Sequence, residues 1–160
     1  MKKTILFIAF ILANHTAQSQ KIDANQGWAV AIPIGTITEA GNDYAASTIS
    51  PTAQTLIDFK TNRGTGYLIS VQKIDIDWDV NLSLWVKRNG NGNGVGGNSV
   101  PMTGGETFIQ LTNVLQDFFY NGAIVSRNRQ NVPIQYKILG YSVLLPVKTY
   151  ITTVVYTISD

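Results

Sequence analysis

The chain has 160 residues, no cysteine, a single histidine, and 12 Lys and Arg against 10 Asp and Glu. Charged residues make up 14%, well below the ~25% of ordinary soluble domains, and no basic cluster marks a nucleic-acid surface. Disulfide stapling is excluded, and because the only histidine is His15, everything after it is excluded from Ser-His-Asp, Cys-His and nearly all zinc or haem chemistry.

Met1-Lys2-Lys3 is followed by an apolar run from Thr4 to Ala13 and a polar tail with a small-x-small site at Ala17 and Ser19. A basic start, a short apolar stretch and such a site predict a secretory signal peptide over residues 1–19, cleaved after Ser19. No stretch reaches the ~20 apolar residues of a membrane helix, so no integral membrane span is expected. Removing the leader takes away Lys2 and Lys3 and no acid, leaving ten basic against ten acidic residues. The basic isoelectric point therefore belongs to the leader, and no nucleic-acid partner is expected. Residues 20–160 suit one domain able to bury a core without staples. The expected location is outside the cytoplasm, in the periplasm, at the cell surface or extracellular, with a bacterial envelope as the setting.

Strand candidates follow in order: Trp28 to Ile34, Thr55 to Phe59, Gly66 to Gln72, Ile74 to Lys87, Thr107 to Thr112, Gly122 to Ser126, Pro133 to Leu139 and Tyr150 to Ser159. Gly, Asn and Pro breakers separate them, and no linker, internal repeat or convincing amphipathic helix interrupts the series. The pattern predicts an all-β fold, a single antiparallel sandwich or barrel, with a sandwich preferred. In the longest candidate, Ile74, Ile76, Trp78, Val80, Leu82, Leu84 and Val86 alternate with polar residues and are assigned to the core face. A strand of that length requires a bend near Asp79 to Asn81, and the opposite phase of Tyr67, Ile69 and Val71 requires a turn or bulge at Gln72-Lys73. Thr112 to Tyr120 is the one segment where a helical turn competes with a strand.

Catalytic chemistry finds little support in the residues. Glu39 lies in a Thr-Glu-Ala-Gly turn and Glu106 follows Gly104-Gly105, neither in the setting of a paired-carboxylate hydrolase. Asp75, Asp77 and Asp79 resemble the start of a calcium loop, but Val80 stands where glycine is needed and Val86 where a bidentate glutamate is needed. A polar outer face is the preferred reading of this row, with calcium or a sugar hydroxyl as the alternative, and no cofactor is otherwise expected. Gly92, Gly94 and Gly97 match a dinucleotide fingerprint formally, but no helix follows. The Asn/Gly run from Asn89 to Asn98 reads as a long flexible hairpin tip. Trp85 is out of phase with the core set. Burial under the second sheet or a loop is preferred for it over an outward stacking surface.

The terminal stretch Leu144 to Ile158, with Pro146, Tyr150 and a Thr/Val-rich final strand, resembles the last strand of exported fimbrial-type and spore-coat-U-like sandwich domains. Tyr67 to Val86 also resembles the central strands of these and of WxL-type surface domains. The resemblance covers about half of residues 20–160 and lacks the cysteine pair of many pilins. It implies a single immunoglobulin-like antiparallel β-sandwich, extracellular and serving as a pilus, coat or adhesion subunit, with itself or another surface protein as partner; no separate donor-strand extension is evident, and residues 20–27 are the candidate for a short N-terminal arm. The leading expectation is thus a non-catalytic structural or adhesive surface protein assembling through strand edges. The alternative is a small carbohydrate- or calcium-dependent binding module built on Asp75, Asp77, Asp79 and Trp85.

Overall fold

The computed structural model describes residues 20–31, 44, 47–60, 66–95, 102–122 and 128–159. Eleven strands run in chain order: β1 (Lys21–Asn25), β2 (Ser47–Ile49), β3 (Thr55–Lys60), β4 (Tyr67–Asp77), β5 (Ser83–Arg88), β6 (Asn93–Gly94), β7 (Met102–Thr103), β8 (Ile109–Gln110), β9 (Gln116–Asn121), β10 (Arg129–Leu139) and β11 (Ile151–Ser159). One sheet has the order β1-β3-β10-β5-β8, with β2 and β6 also paired to β10; the other has the order β11-β4-β9-β7. Every pairing is antiparallel. The protein is the all-β antiparallel sandwich expected of its alternating, Gly/Asn-punctuated sequence. No helix occurs among the described residues, none of which forms a helix long and apolar enough to cross a membrane.

The core is filled by alternate residues of the two inner faces. Ile57, Phe59, Leu84, Val86, Val132, Ile134 and Tyr136 come from the first sheet; Tyr67, Ile69, Val71, Phe118 and Phe119 come from the second.

The expected single strand from Ile74 to Lys87 is two strands in two sheets. β4 runs through Gln72-Lys73 without a turn and ends at Asp77, and the chain then crosses to β5. The crossover falls where a bend was expected, and side-chain chemistry makes it: Asp79 Oδ1 accepts from the Asn81 amide at 2.8 Å, and the Leu82 amide donates to the Asp79 carbonyl at 3.0 Å. Because β4 is continuous with Tyr67, Ile69 and Val71, the next inward position is Lys73, whose side chain is only 11% exposed. Ile74 and Ile76 therefore face outward, 51% and 67% exposed, and Val80 stands on the turn in solvent. Only Leu82, Leu84 and Val86 of the predicted face are buried, with Trp78 packed partly against the core.

The segment Thr112 to Tyr120 is extended, and β9 replaces the helical turn. Its register skips Phe118 between the Ile69–Phe119 and Ser70–Asp117 pairs. A bulge of this kind turns two consecutive side chains to one face, and Phe118 and Phe119 are both buried while Val114 and Leu115 are exposed. Trp28 to Ala31 is not a strand, Thr107 to Thr112 narrows to β8, and the 20–27 arm holds β1, paired to β3 of its own domain. The leader, Glu39, residues 32–34 and residues 123–126 of the expected strands lie outside the described residues. Asn89 to Val95 is no free hairpin tip. Asn93 and Gly94 pair with Gln130 and Arg129, and Asn91 is held by two arginines.

Candidate functional site

The two ends of the sandwich differ. At the end where β10 begins, Arg88 is inserted from β5 with its side chain only 1% exposed. Its guanidinium donates to the carbonyls of Gly104, Gly90 and Met102, to Asn91 Oδ1 at 2.6 Å and to Glu106 Oε1 at 2.9 Å. It also lies 5.6 Å from the Phe119 ring centroid. Buried Arg129 donates to Asn121 Oδ1 at 3.1 Å beside it. A buried charge is tolerated only with such full satisfaction. Glu106 is itself 70% exposed and serves as a partner of this network.

At the opposite end, residues of β5, β10 and β11 line a cleft of about 940 Å³. Trp28, Trp78, Leu84, Tyr136, Ile138, Val154 and Tyr156 line it, with the Tyr141 to Thr153 segment at the rim. Trp28 stacks on Tyr136 with centroids 6.3 Å apart and planes inclined by 13°. Inside, Tyr156 and Tyr136 share a hydroxyl contact at 2.9 Å, Tyr136 donates to Thr55 Oγ1 at 3.1 Å, and Thr55 donates to the Gln26 carbonyl at 2.7 Å. Burial pushes both tyrosine hydroxyls above their usual range, Tyr156 the further. The size and apolar, aromatic lining are those of small-molecule sites.

No protein-family model matches the chain, and no significant match was found among curated proteins or solved structures. The functional reading therefore rests on the molecule's own surfaces.

The residues singled out from the sequence are separated by the fold. Asp75 accepts from Lys73 Nζ and from Thr152 Oγ1, the latter at 2.9 Å; Asp77 pairs with Lys148; Asp79 caps its own turn through Asn81. Burial pushes the Asp75 carboxyl up, but the hydrogen bonds of Lys73 and Thr152 and the Lys73 charge outweigh it and hold the group below the usual range. The three carboxylates do not converge, and no group of three or more His, Cys, Asp or Glu that could hold a metal ion occurs among the described residues.

Trp85 is not under the second sheet. It alternates with buried Leu84 and Val86 and so lies on the outer face of β5, opposite the core. Lys137 Nζ sits 4.9 Å from its ring and 4.6 Å from that of Phe108, and Lys87 Nζ lies 5.0 Å from Phe108. This outer face carries two aromatic rings and two ammonium groups.

A third surface is an edge. Among the described residues β11 is hydrogen-bonded only to β4, while β1, the outermost strand of the other sheet, passes beside it without pairing. Its nine residues, ITTVVYTIS, contain no charge and no proline. The Thr/Val-rich composition signalled a strand here, but not that it would lie at an edge. The sequence did not signal the cleft, whose Trp28, Tyr136 and Tyr156 are far apart in the chain.

Proposed function

We propose that this is an exported, non-catalytic structural or adhesive surface protein that joins copies of itself, or another surface protein, by strand addition along β11. The observation that carries the reading is that one side of β11 makes no strand pairing among the described residues, although β1 passes beside it. Sheet edges in monomeric proteins are blunted by charges, prolines, bulges or short length, and β11 spans nine uncharged residues, the one register shift beside it being an extra residue, Ile76, in β4 opposite its Ile151 end. Ile74, Ile76 and Ile151, exposed at 51%, 67% and 45%, supply apolar surface next to that edge. Strand addition draws its affinity from main-chain hydrogen bonds and takes specificity from alternate side chains.

The test uses the full chain expressed with its leader in an exporting host, with N-terminal sequencing of the product to check cleavage after Ser19. Size-exclusion chromatography with light scattering and electron microscopy of large species should show oligomers or ordered polymers that grow with concentration. Lysines at two exposed edge positions, Thr153→Lys with Thr157→Lys, should leave the fold intact and yield monomer. A wild-type protein that stays monomeric at every concentration and binds no other surface protein refutes the proposal.

The outward Trp85 favours a second reading, a glycan-binding face. Rings on a flat sheet surface stack on sugars, and Lys87 and Lys137 beside them would favour acidic saccharides. Binding to an acidic oligosaccharide that is lost in Trp85→Ala would support it, and no binding across neutral and acidic glycans would dismiss it.

A further inference from the structure

The hydroxyl chain in the cleft has a fixed direction. A carbonyl oxygen can only accept, so Thr55 must donate to Gln26; its oxygen then accepts from Tyr136. With the Tyr136 proton spent, the shared contact at 2.9 Å must be a donation from Tyr156. All three protons are consumed, and the oxygens keep lone pairs only. Two further polar hydrogens of the wall are consumed, since Tyr150 donates to the Pro146 carbonyl at 2.7 Å and the Trp78 indole donates to the Leu82 carbonyl at 2.9 Å, whereas the Trp28 indole N–H makes no hydrogen bond among the described residues.

Charge narrows the choice further. Lys148 is the only charged side chain among the described residues that line the cleft, and its ammonium is bound to Asp77. An anion would have to displace that carboxylate and lie against tyrosine lone pairs. A cation could use the aromatic faces, but Lys148 already lies 5.0 Å from the Tyr150 ring and Lys73 5.7 Å from that of Trp78. Two of the aromatic faces thus already carry an ammonium group before any ligand arrives, although Lys73 itself does not line the cleft.

We infer that the cleft is a binding site for an uncharged, mostly apolar, ring-containing small molecule that carries one hydroxyl or N–H donor, and that this donor is received by the Tyr156 oxygen. The aromatic walls contribute contact area to any such ring, and the Tyr156 acceptor selects for the donor. The cleft and the proposed edge contact share β11, through Thr153, Val154 and Tyr156, but small-molecule binding in the cleft needs no second chain, so either can fail without the other.

Equilibrium dialysis of the exported protein at neutral pH against four probes of one ring system tests the inference: 2-naphthol, 2-methoxynaphthalene, 2-naphthoate and 2-naphthylmethylammonium. The expected result is saturable one-to-one binding of 2-naphthol, with the methyl ether weaker by roughly two- to tenfold, the range of one net hydrogen bond, and both ions weaker than the ether. In Tyr156→Phe the preference of naphthol over the ether should vanish while the ether binds as before, with thermal unfolding as the control for folding. Should that variant not fold, Val154→Trp, which adds bulk at the cleft wall, should abolish naphthol binding. No saturable binding of any probe, an ion bound most tightly, equal affinity for naphthol and ether, or a preference that survives in folded Tyr156→Phe would each overturn the inference.

Discussion

Arg88 and Tyr156 stand at opposite ends of one sandwich, and the ends are finished differently. At the Arg88 end the space between the sheets is filled by a guanidinium with every donor committed to a carbonyl, an amide oxygen or a carboxylate. At the Tyr156 end the polar groups are also paired, but the volume between the sheets is left empty. Satisfying polar atoms and filling space are separate requirements of a core, and only the first is met throughout. Stability should therefore be concentrated at the Arg88 end, which leaves the Tyr156 end free to vary in shape.

The largest expected effect breaks the filled end. Arg88→Leu removes the donors for three carbonyls, leaving that of Met102 buried and those of Gly90 and Gly104 partly buried without this partner, so urea denaturation should show a loss of about 3–5 kcal/mol. Glu106→Gln, at an exposed partner, should cost less than about 1 kcal/mol. A small effect of Arg88→Leu would remove the contrast between the ends.

Alkaline pH acts on both ends. Burial raises the Tyr67 hydroxyl at the filled end, and the Tyr136 and Tyr156 hydroxyls in the cleft, above the ordinary value of 10.0. Below that value folded and unfolded chains both keep these protons, and the contribution to stability is complete. Above it the unfolded chain releases protons that the native one retains, so stability falls by up to about 1.4 kcal/mol per pH unit for each group. Denaturant midpoints should be flat with respect to these groups up to about pH 9 and decline beyond pH 10, and Tyr67→Phe should make the decline shallower. Tyrosinate absorbance from the buried groups should emerge with unfolding and not before it.

A pair of aromatic truncations sharpens the comparison. Trp28→Ala removes one stacked ring from an open wall and should cost about 1 kcal/mol, whereas Phe119→Ala, at 2% exposure in the packed region, should cost about 3–5 kcal/mol. Similar values for the two would mean that the cleft is as tightly coupled to the core as the filled end.

Fold class was legible because strand periodicity and Gly/Asn breakers are local. The face of Ile74 and Ile76 was not, since period two fixes which residues share a side but not which side is inward. That was decided by continuity with Tyr67 to Val71 and by the Asp79 turn that carries the chain to the other sheet. Trp85 was misplaced under the second sheet although its phase, opposite to Leu84 and Val86, already placed it on the other face. The Arg88 network was hidden because its acceptors are mainly backbone carbonyls, which leave no mark in a sequence. The cleft was hidden for another reason: Gln26, Thr55, Tyr136 and Tyr156 meet only after three long-range pairings have formed.

β10 bonds to β2, β3, β5 and β6, so it ties together strands that precede it by as much as half the chain. Until Arg129 to Leu139 has left the ribosome, the first sheet can hold only the separate pairs β1–β3 and β5–β8. Topologies dominated by such distant pairings fold slowly. A chain arranged this way completes its first sheet only when most of its length has been made, so β3 and β5 each lack their β10 neighbour through much of synthesis.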